Sequence, residues 1–142
     1  MLTLTVQRAS RSTHQPSRQA LARWSRAALA APACITIRLV DRPEGQRLNR
    51  TFRQRDYPTN VLTFVYGHSE AGWEGDLVLC APVVKAEARA RKKPLAHHYA
   101  HLVVHGLLHL QGYDHEKPRA AATMEALETQ ILAGLSIPDP YH

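Results

Sequence analysis

The stretch HGLLHLQGYDH at residues 105–115 places His105 and His109 four positions apart. On a helix that spacing stacks the two side chains on one face, one turn apart. Two imidazole nitrogens can then converge on a single ion at ~2.0–2.1 Å. Gly112 is suited to the left-handed conformation that ends a helix. The chain can then double back, and His115 approaches from a third direction. Three neutral imidazoles leave a fourth tetrahedral position for water, the mark of a catalytic rather than a structural zinc site. A lone histidine on a helix is usually a surface or satisfied core residue. The full HxxxHxxGxxH pattern is what predicts one zinc ion held by His105, His109 and His115.

The neighbouring histidines compete for the same role. His97, His101, His105 and His109 form a ladder at four-residue steps. At 1.5 Å per residue His101 and His109 lie ~12 Å apart along a helix axis, too far to share an ion whose ligands are only ~3.5 Å apart. His97, His98 and His101 are therefore expected on the surface, behind the ligands or facing substrate, with His101 best placed behind them. The ligand spacing is that of metzincin proteases, which carry a glutamate base after the first histidine. Here that position is Gly106, which argues against peptide hydrolysis. Asp114 could orient a ligand or act as a base, although a plain turn aspartate is the simpler reading.

The elements that must hold these residues can be traced along the chain. Residues 2–7 read as a short strand, and residues 16–31 as a helix capped by Ser12, Thr13 or Ser17 and stopped by Pro32. Residues 34–40 and 61–66 alternate as strands, and a short helix fits near residues 44–53. Residues 67–75 are small and polar and read as a loop before a third strong strand at 76–80. Pro82 opens a helix that ends in the basic tract Arg89, Arg91, Lys92 and Lys93. A helix over about 95–110 carries the histidines, and a last one runs over about 118–133, with Gly134 as its stop. Strands and helices mix without regular alternation, so the 142 residues are expected to form one α+β domain.

Composition narrows the partners. The net charge is +6, but residues 1–57 alone carry +8, with 11 arginines and no lysine. Arginine's planar fork suits phosphate oxygens better than lysine's point charge, and a sequence pI near 9.7 favours a polyanionic partner. The first 40 residues contain no Asp or Glu. That composition occurs in organellar transit peptides, but strand alternation at residues 2–6 favours a basic strand and helix of the fold. No apolar stretch approaches the ~18–20 residues that cross a bilayer. Cys34 and Cys80 lack CxxC partners and read as buried free thiols in a reducing cytoplasm.

Beyond these patterns the chain resembles a known family. HGLLHLQGYDH looks like the HGxLHLxGYDH signature of the YbeY family, bacterial rRNA maturation factors and single-strand-specific endoribonucleases. LNRTFRQRDYPTNVLTF at residues 48–64 is similar to its LNxxYRxKDxPTDVLSF segment, and GDLVLC at 75–80 to its GDIxIC strand. Met124, Glu125, Leu127 and Glu128 fit its C-terminal helix. Thr63, Val65 and Arg55 depart from the usual Ser, Pro and Lys, and Lys117, Pro118 and Arg119 follow His115 where the family is often acidic.

The resemblance covers roughly residues 35–135. It implies a mixed sheet of about four strands packed with helices, and one zinc ion at a helix end. It also implies an essential Arg53 and action in 16S rRNA 3′-end maturation and 70S ribosome quality control. The expected partners are small-subunit rRNA precursor and ribosomal small-subunit proteins, in the cytoplasm, with neither membrane nor DNA.

In the mechanism expected here, Arg53, helped by Arg55, neutralises charge on the phosphoryl oxygens. Arg50 and the tract Arg89, Arg91, Lys92 and Lys93 would track flanking phosphates. With few aromatics for base stacking, sequence selectivity is expected to be weak or supplied by a ribosomal partner. The nucleophile stays open between metal-bound water and the RNA 2′-hydroxyl. Two other readings compete: a non-catalytic ribosome-assembly factor with a structural zinc, and a zinc hydrolase of peptides or small molecules.

Overall fold

A computed structural model describes residues 1–141. Its elements are β1 (Leu2–Ala9), α1 (Arg18–Ala28), β2 (Ala33–Val40), α2 (Arg42–Arg53), β3 (Val61–Ser69), β4 (Gly72–Cys80), α3 (Ala81–Ala90), α4 (Leu95–Leu110) and α5 (Pro118–Gly134). The sheet order is β1-β2-β4-β3. β1 and β4 both run parallel to β2, and β3 closes the sheet antiparallel to β4. The architecture is α+β with a mixed four-stranded sheet. The arginine-rich stretch at the start forms a strand and helix of this fold, with the Ser17 hydroxyl accepting the Ala20 amide to start α1.

Period-2 alternation divides the sheet into two faces. Ile35, Ile37 and Leu39 of β2 and Leu77 and Leu79 of β4 point into the main core, where they meet α1, α4 and α5. Val40, Leu62, Val78 and Cys80 point the other way and meet Leu48 of α2. Fully burying a leucine of this kind contributes about 1.5–3 kcal/mol, so the α4 face dominates the packing. α4 buries Leu102, Val103, Val104, Leu107, Leu108 and Leu110, while His97, His101, His105 and His109 form its less buried side.

α2 covers only part of its face. Thr3, Thr5 and Cys34 lie beyond it and are exposed. Cys34 is therefore not the buried thiol its apolar run suggested, whereas Cys80 is buried. Alternation shows which residues share a face and not whether anything packs on it.

Residues 67–75 do not form the expected loop but continue β3 and β4 to a two-residue turn at Glu70 and Ala71, closed by the Ser69–Gly72 pair. His68, Ser69, Glu70, Ala71 and Glu74 face water around that turn, while Gly72 and Gly75 are buried. Gly72 is required there: its φ is +110°, and a Cβ would stand 1.9 Å from the Pro32 carbonyl oxygen. No helix among the described residues is long and apolar enough to cross a membrane.

Candidate metal centre and its surroundings

α4 presents His105 and His109 on one side near its C-terminal end. It can lie close against the sheet because position 106 is glycine. A Cβ there would meet Leu77 Cδ2 at 2.7 Å and Thr63 Oγ1 at 3.3 Å. The same contact leaves no room for the glutamate that a metzincin carries after its first histidine. Beyond the helix, Gly112 takes φ +100° and Tyr113 N donates to Leu108 O. That turn brings His115 back over the helix end. Its ring centroid lies 5.2 Å from that of His105 and 6.0 Å from that of His109.

Hydrogen bonds fix the tautomers of both helical histidines. His105 Nδ1 lies 2.7 Å from Glu128 Oε1, and His109 Nδ1 lies 3.1 Å from the Tyr113 carbonyl oxygen. A carboxylate and a carbonyl can only accept, so each Nδ1 carries a proton, and in the neutral imidazole tautomer this selects, the lone pair is on Nε2. This is how metal-binding imidazoles are usually held. Burial pushes the Glu128 carboxyl up, but hydrogen bonding from His101, His105 and Tyr141 outweighs it and holds the group at about 2. Glu128 is thus a buried carboxylate anion behind His105.

Among the described residues, no group of three or more His, Cys, Asp or Glu is arranged so that it could hold a metal ion. The donor set nonetheless suits zinc. Two imidazoles on a tetrahedral zinc have centroids about 5 Å apart, close to the His105–His115 separation. The His109–His115 separation is wider by about 1 Å, and both of these rings are exposed.

Arg53 is placed by the end of α2. Gln54 adopts φ +59° and ends the helix, while buried Asn49 donates from Nδ2 to Tyr57 O and pins the turn that follows. From there Arg53 reaches the edge strand. Its Nη2 donates to Thr63 O at 2.6 Å, using one of five donors, and its guanidinium lies 5.5 Å from the Phe64 ring. The hydroxyl of Thr63 in turn contacts Gly106 O at 3.5 Å. Arg53 is therefore joined through one strand residue to the helical turn between His105 and His109.

The other basic residues are dispersed. Arg50 is exposed, with Asp56 at 3.7 Å, and Arg55 is exposed beside it. Arg89, Arg91 and Lys92 are exposed at the end of α3. Lys93 is half-buried and donates to Pro140 O. This tract precedes α4, so His105 lies roughly 15 Å further along the helix axis. Thr63 thus links Arg53 to the Gly106 turn of α4, while the basic tract lies before the other end of that helix.

Asp114 accepts the Glu116 amide at 2.9 Å, as a turn aspartate does. His98 is buried and paired with Glu87 at 2.9 Å. His101 Nε2 stands 3.6 Å from Glu128 Oε1, behind the His105 ring. No sequence pattern assigns a role to Glu128 or Tyr141. Glu128 sits one turn beyond Met124 on the inward face of α5, and a glutamate on an otherwise apolar face was the signal that could have marked it.

A family model described as Endoribonuclease YbeY matches residues 5–136. A relative from Aromatoleum aromaticum, described in the same words, is 55% identical over 143 residues, covering 99% of this chain and 92% of its own. One from Thiobacillus denitrificans is 54% identical over 142 residues, covering 99% and 97%. A solution structure of a Thermotoga maritima protein shares the fold, with a TM-score of 0.56 and 21% identity. That match covers 96% of this chain and 92% of the other.

Proposed function

Since the chain belongs to the Endoribonuclease YbeY family and is an enzyme, we propose that it is a zinc-dependent, single-strand-specific endoribonuclease. It acts in 16S rRNA 3′-end maturation and 70S ribosome quality control, in the cytoplasm, on small-subunit rRNA precursor and with ribosomal small-subunit proteins. The ligands are His105, His109 and His115. One observation carries the reading. Both helical histidines have Nδ1 committed to an acceptor that cannot donate, which leaves two Nε2 lone pairs on one side of α4.

A zinc ion bound there supplies Lewis acidity, polarising a phosphoryl oxygen or lowering the pKa of water toward ~7. The chain's own residues do the rest. Glu128 and the Tyr113 carbonyl orient the two helical imidazoles. Arg53, steadied by Thr63 O, offers its remaining donors to the phosphoryl oxygens as charge develops. Arg55 and Arg50 extend that charge along the strand, and Arg89, Arg91, Lys92 and Lys93 bind phosphates further off, which makes binding salt-dependent. The absence of space for a base at position 106 disfavours a metzincin-like peptidase.

The test uses metal-quantified wild-type protein and His109→Ala with small-subunit rRNA precursor and a single-stranded RNA, with and without ribosomes. Cleavage by wild type alone is the expected result. Equal binding of rRNA by both proteins with no cutting by either, ribosomes included, would replace this reading with that of a non-catalytic assembly factor.

A further inference from the structure

The segment after α5 folds back along α4 and is anchored at several points. Ile137 is buried in the main core, and Ile137 N donates to Leu132 O at 2.9 Å. Asp139 Oδ1 accepts both the Tyr141 amide, at 2.9 Å, and the Thr129 hydroxyl, at 3.3 Å. Lys93 donates to Pro140 O from the start of α4. These contacts deliver the Tyr141 ring edge-on to His101, with centroids 5.4 Å apart.

The phenol hydroxyl then donates to Glu128 Oε2 at 2.5 Å, while the other oxygen of that carboxylate accepts from His105. His101 Nε2 lies 3.3 Å from the phenol oxygen. Tyr141 also forms part of the wall of a cavity of about 230 Å³ that is lined by His105, His115, Met124 and Glu128.

The geometry points to Tyr141 as a positioning residue of the metal centre, acting on His105 through Glu128; this rests on the zinc reading above. The reasoning is one of satisfying a buried charge. Glu128 is fully buried, and a buried carboxylate keeps its charge and orientation only while both oxygens have donors. Tyr141 supplies the donor to Oε2. Without that donor, the carboxylate is free to rotate, and His105 loses the fixed ring plane that aims Nε2 as a ligand. The rival account is purely mechanical: the phenol contact merely pins the tail to α5. That account predicts lower thermal stability and an unaltered metal site.

Zinc affinity separates the two, measured by competition with a chromophoric chelator on wild type, Tyr141→Phe, Glu128→Gln and the double variant. The visible spectrum of the cobalt-substituted proteins is recorded alongside. Tyr141→Phe keeps the ring and its contact with His101, and is expected to bind zinc about tenfold more weakly with altered cobalt bands. In the Glu128→Gln background the same substitution should change zinc affinity little, because its route to His105 is already cut. Equal or tighter zinc binding by Tyr141→Phe, with an unchanged cobalt spectrum, overturns the role of Tyr141 and leaves the metal reading standing. Full additivity in the double variant overturns action through Glu128. Failure of wild type itself to take up zinc removes the metal reading, and this proposal with it.

Discussion

Replacing Gly106 with alanine sets two effects against each other at a single atom. Helix propensity alone favours alanine over glycine in a helix interior by about 1 kcal/mol. Packing opposes it, because the new Cβ would stand 2.7 Å from Leu77 Cδ2 and 3.3 Å from Thr63 Oγ1. Leu77 is fully buried and cannot swing aside freely. Overpacking of this kind costs about 1–3 kcal/mol, so the expected net is a destabilisation of about 1 kcal/mol. With an unfolding entropy of ~2.1 cal/mol/K per residue over 142 residues, the melting temperature should fall by about 3 °C. Thermal denaturation followed by circular dichroism reads this directly. In a Leu77→Ala background, itself costing about 2–5 kcal/mol, the obstruction is gone and Gly106→Ala should become neutral or stabilising. A melting temperature that rises in the wild-type background would refute the packing argument, because propensity would then have won.

Arg53→Glu should lower RNA cleavage by at least about 10²-fold while zinc content stays that of wild type, and retained cleavage would remove Arg53 from the mechanism. Glu128→Gln replaces the anionic acceptor behind His105, and zinc affinity is expected to fall about 10–100-fold; an unchanged affinity in the competition assay would detach Glu128 from the site. The His98 hydrogen bond holds the Glu87 carboxyl below its ordinary range, against burial and with help from Asn60. A carboxylate depressed in the folded state adds stability above its unfolded value of ~4.3 and loses it as pH falls through the folded value. Glu87→Gln should therefore be less stable than wild type near about pH 6, with the gap closing below about pH 4, and denaturation curves that stay parallel across that range would count against the pairing.

Local pattern was enough to read most of the frame. Alternation at residues 34–40 and 61–66 marked two strands, and the four-residue histidine ladder marked α4. What resisted reading was non-local. Glu128 lies 23 residues from His105 and Tyr141 lies 36 away, and no periodicity links either to an imidazole. The bond from Arg53 to Thr63 O depends on where α2 ends against the edge strand, which three-dimensional packing decides. At the hairpin tip, solvent-facing strand residues resemble a loop in composition, so alternation does not mark them. Phe52, Tyr57, Tyr66 and Tyr113 proved to be exposed, so the surface holds more aromatic area than the low aromatic content suggested.

The incomplete cover on the second face of the sheet also has a practical side. The chain contains two cysteines, and only Cys34 is exposed. It sits in β2 on the side turned away from α4, and its neighbours there, Thr3 and Thr5, are polar and solvated. A maleimide dye should therefore attach at one defined point on the back of the sheet. Paired with a label on an RNA end, that dye becomes a ruler across the sheet, reporting how the strand lies over the histidines without a probe touching any of them.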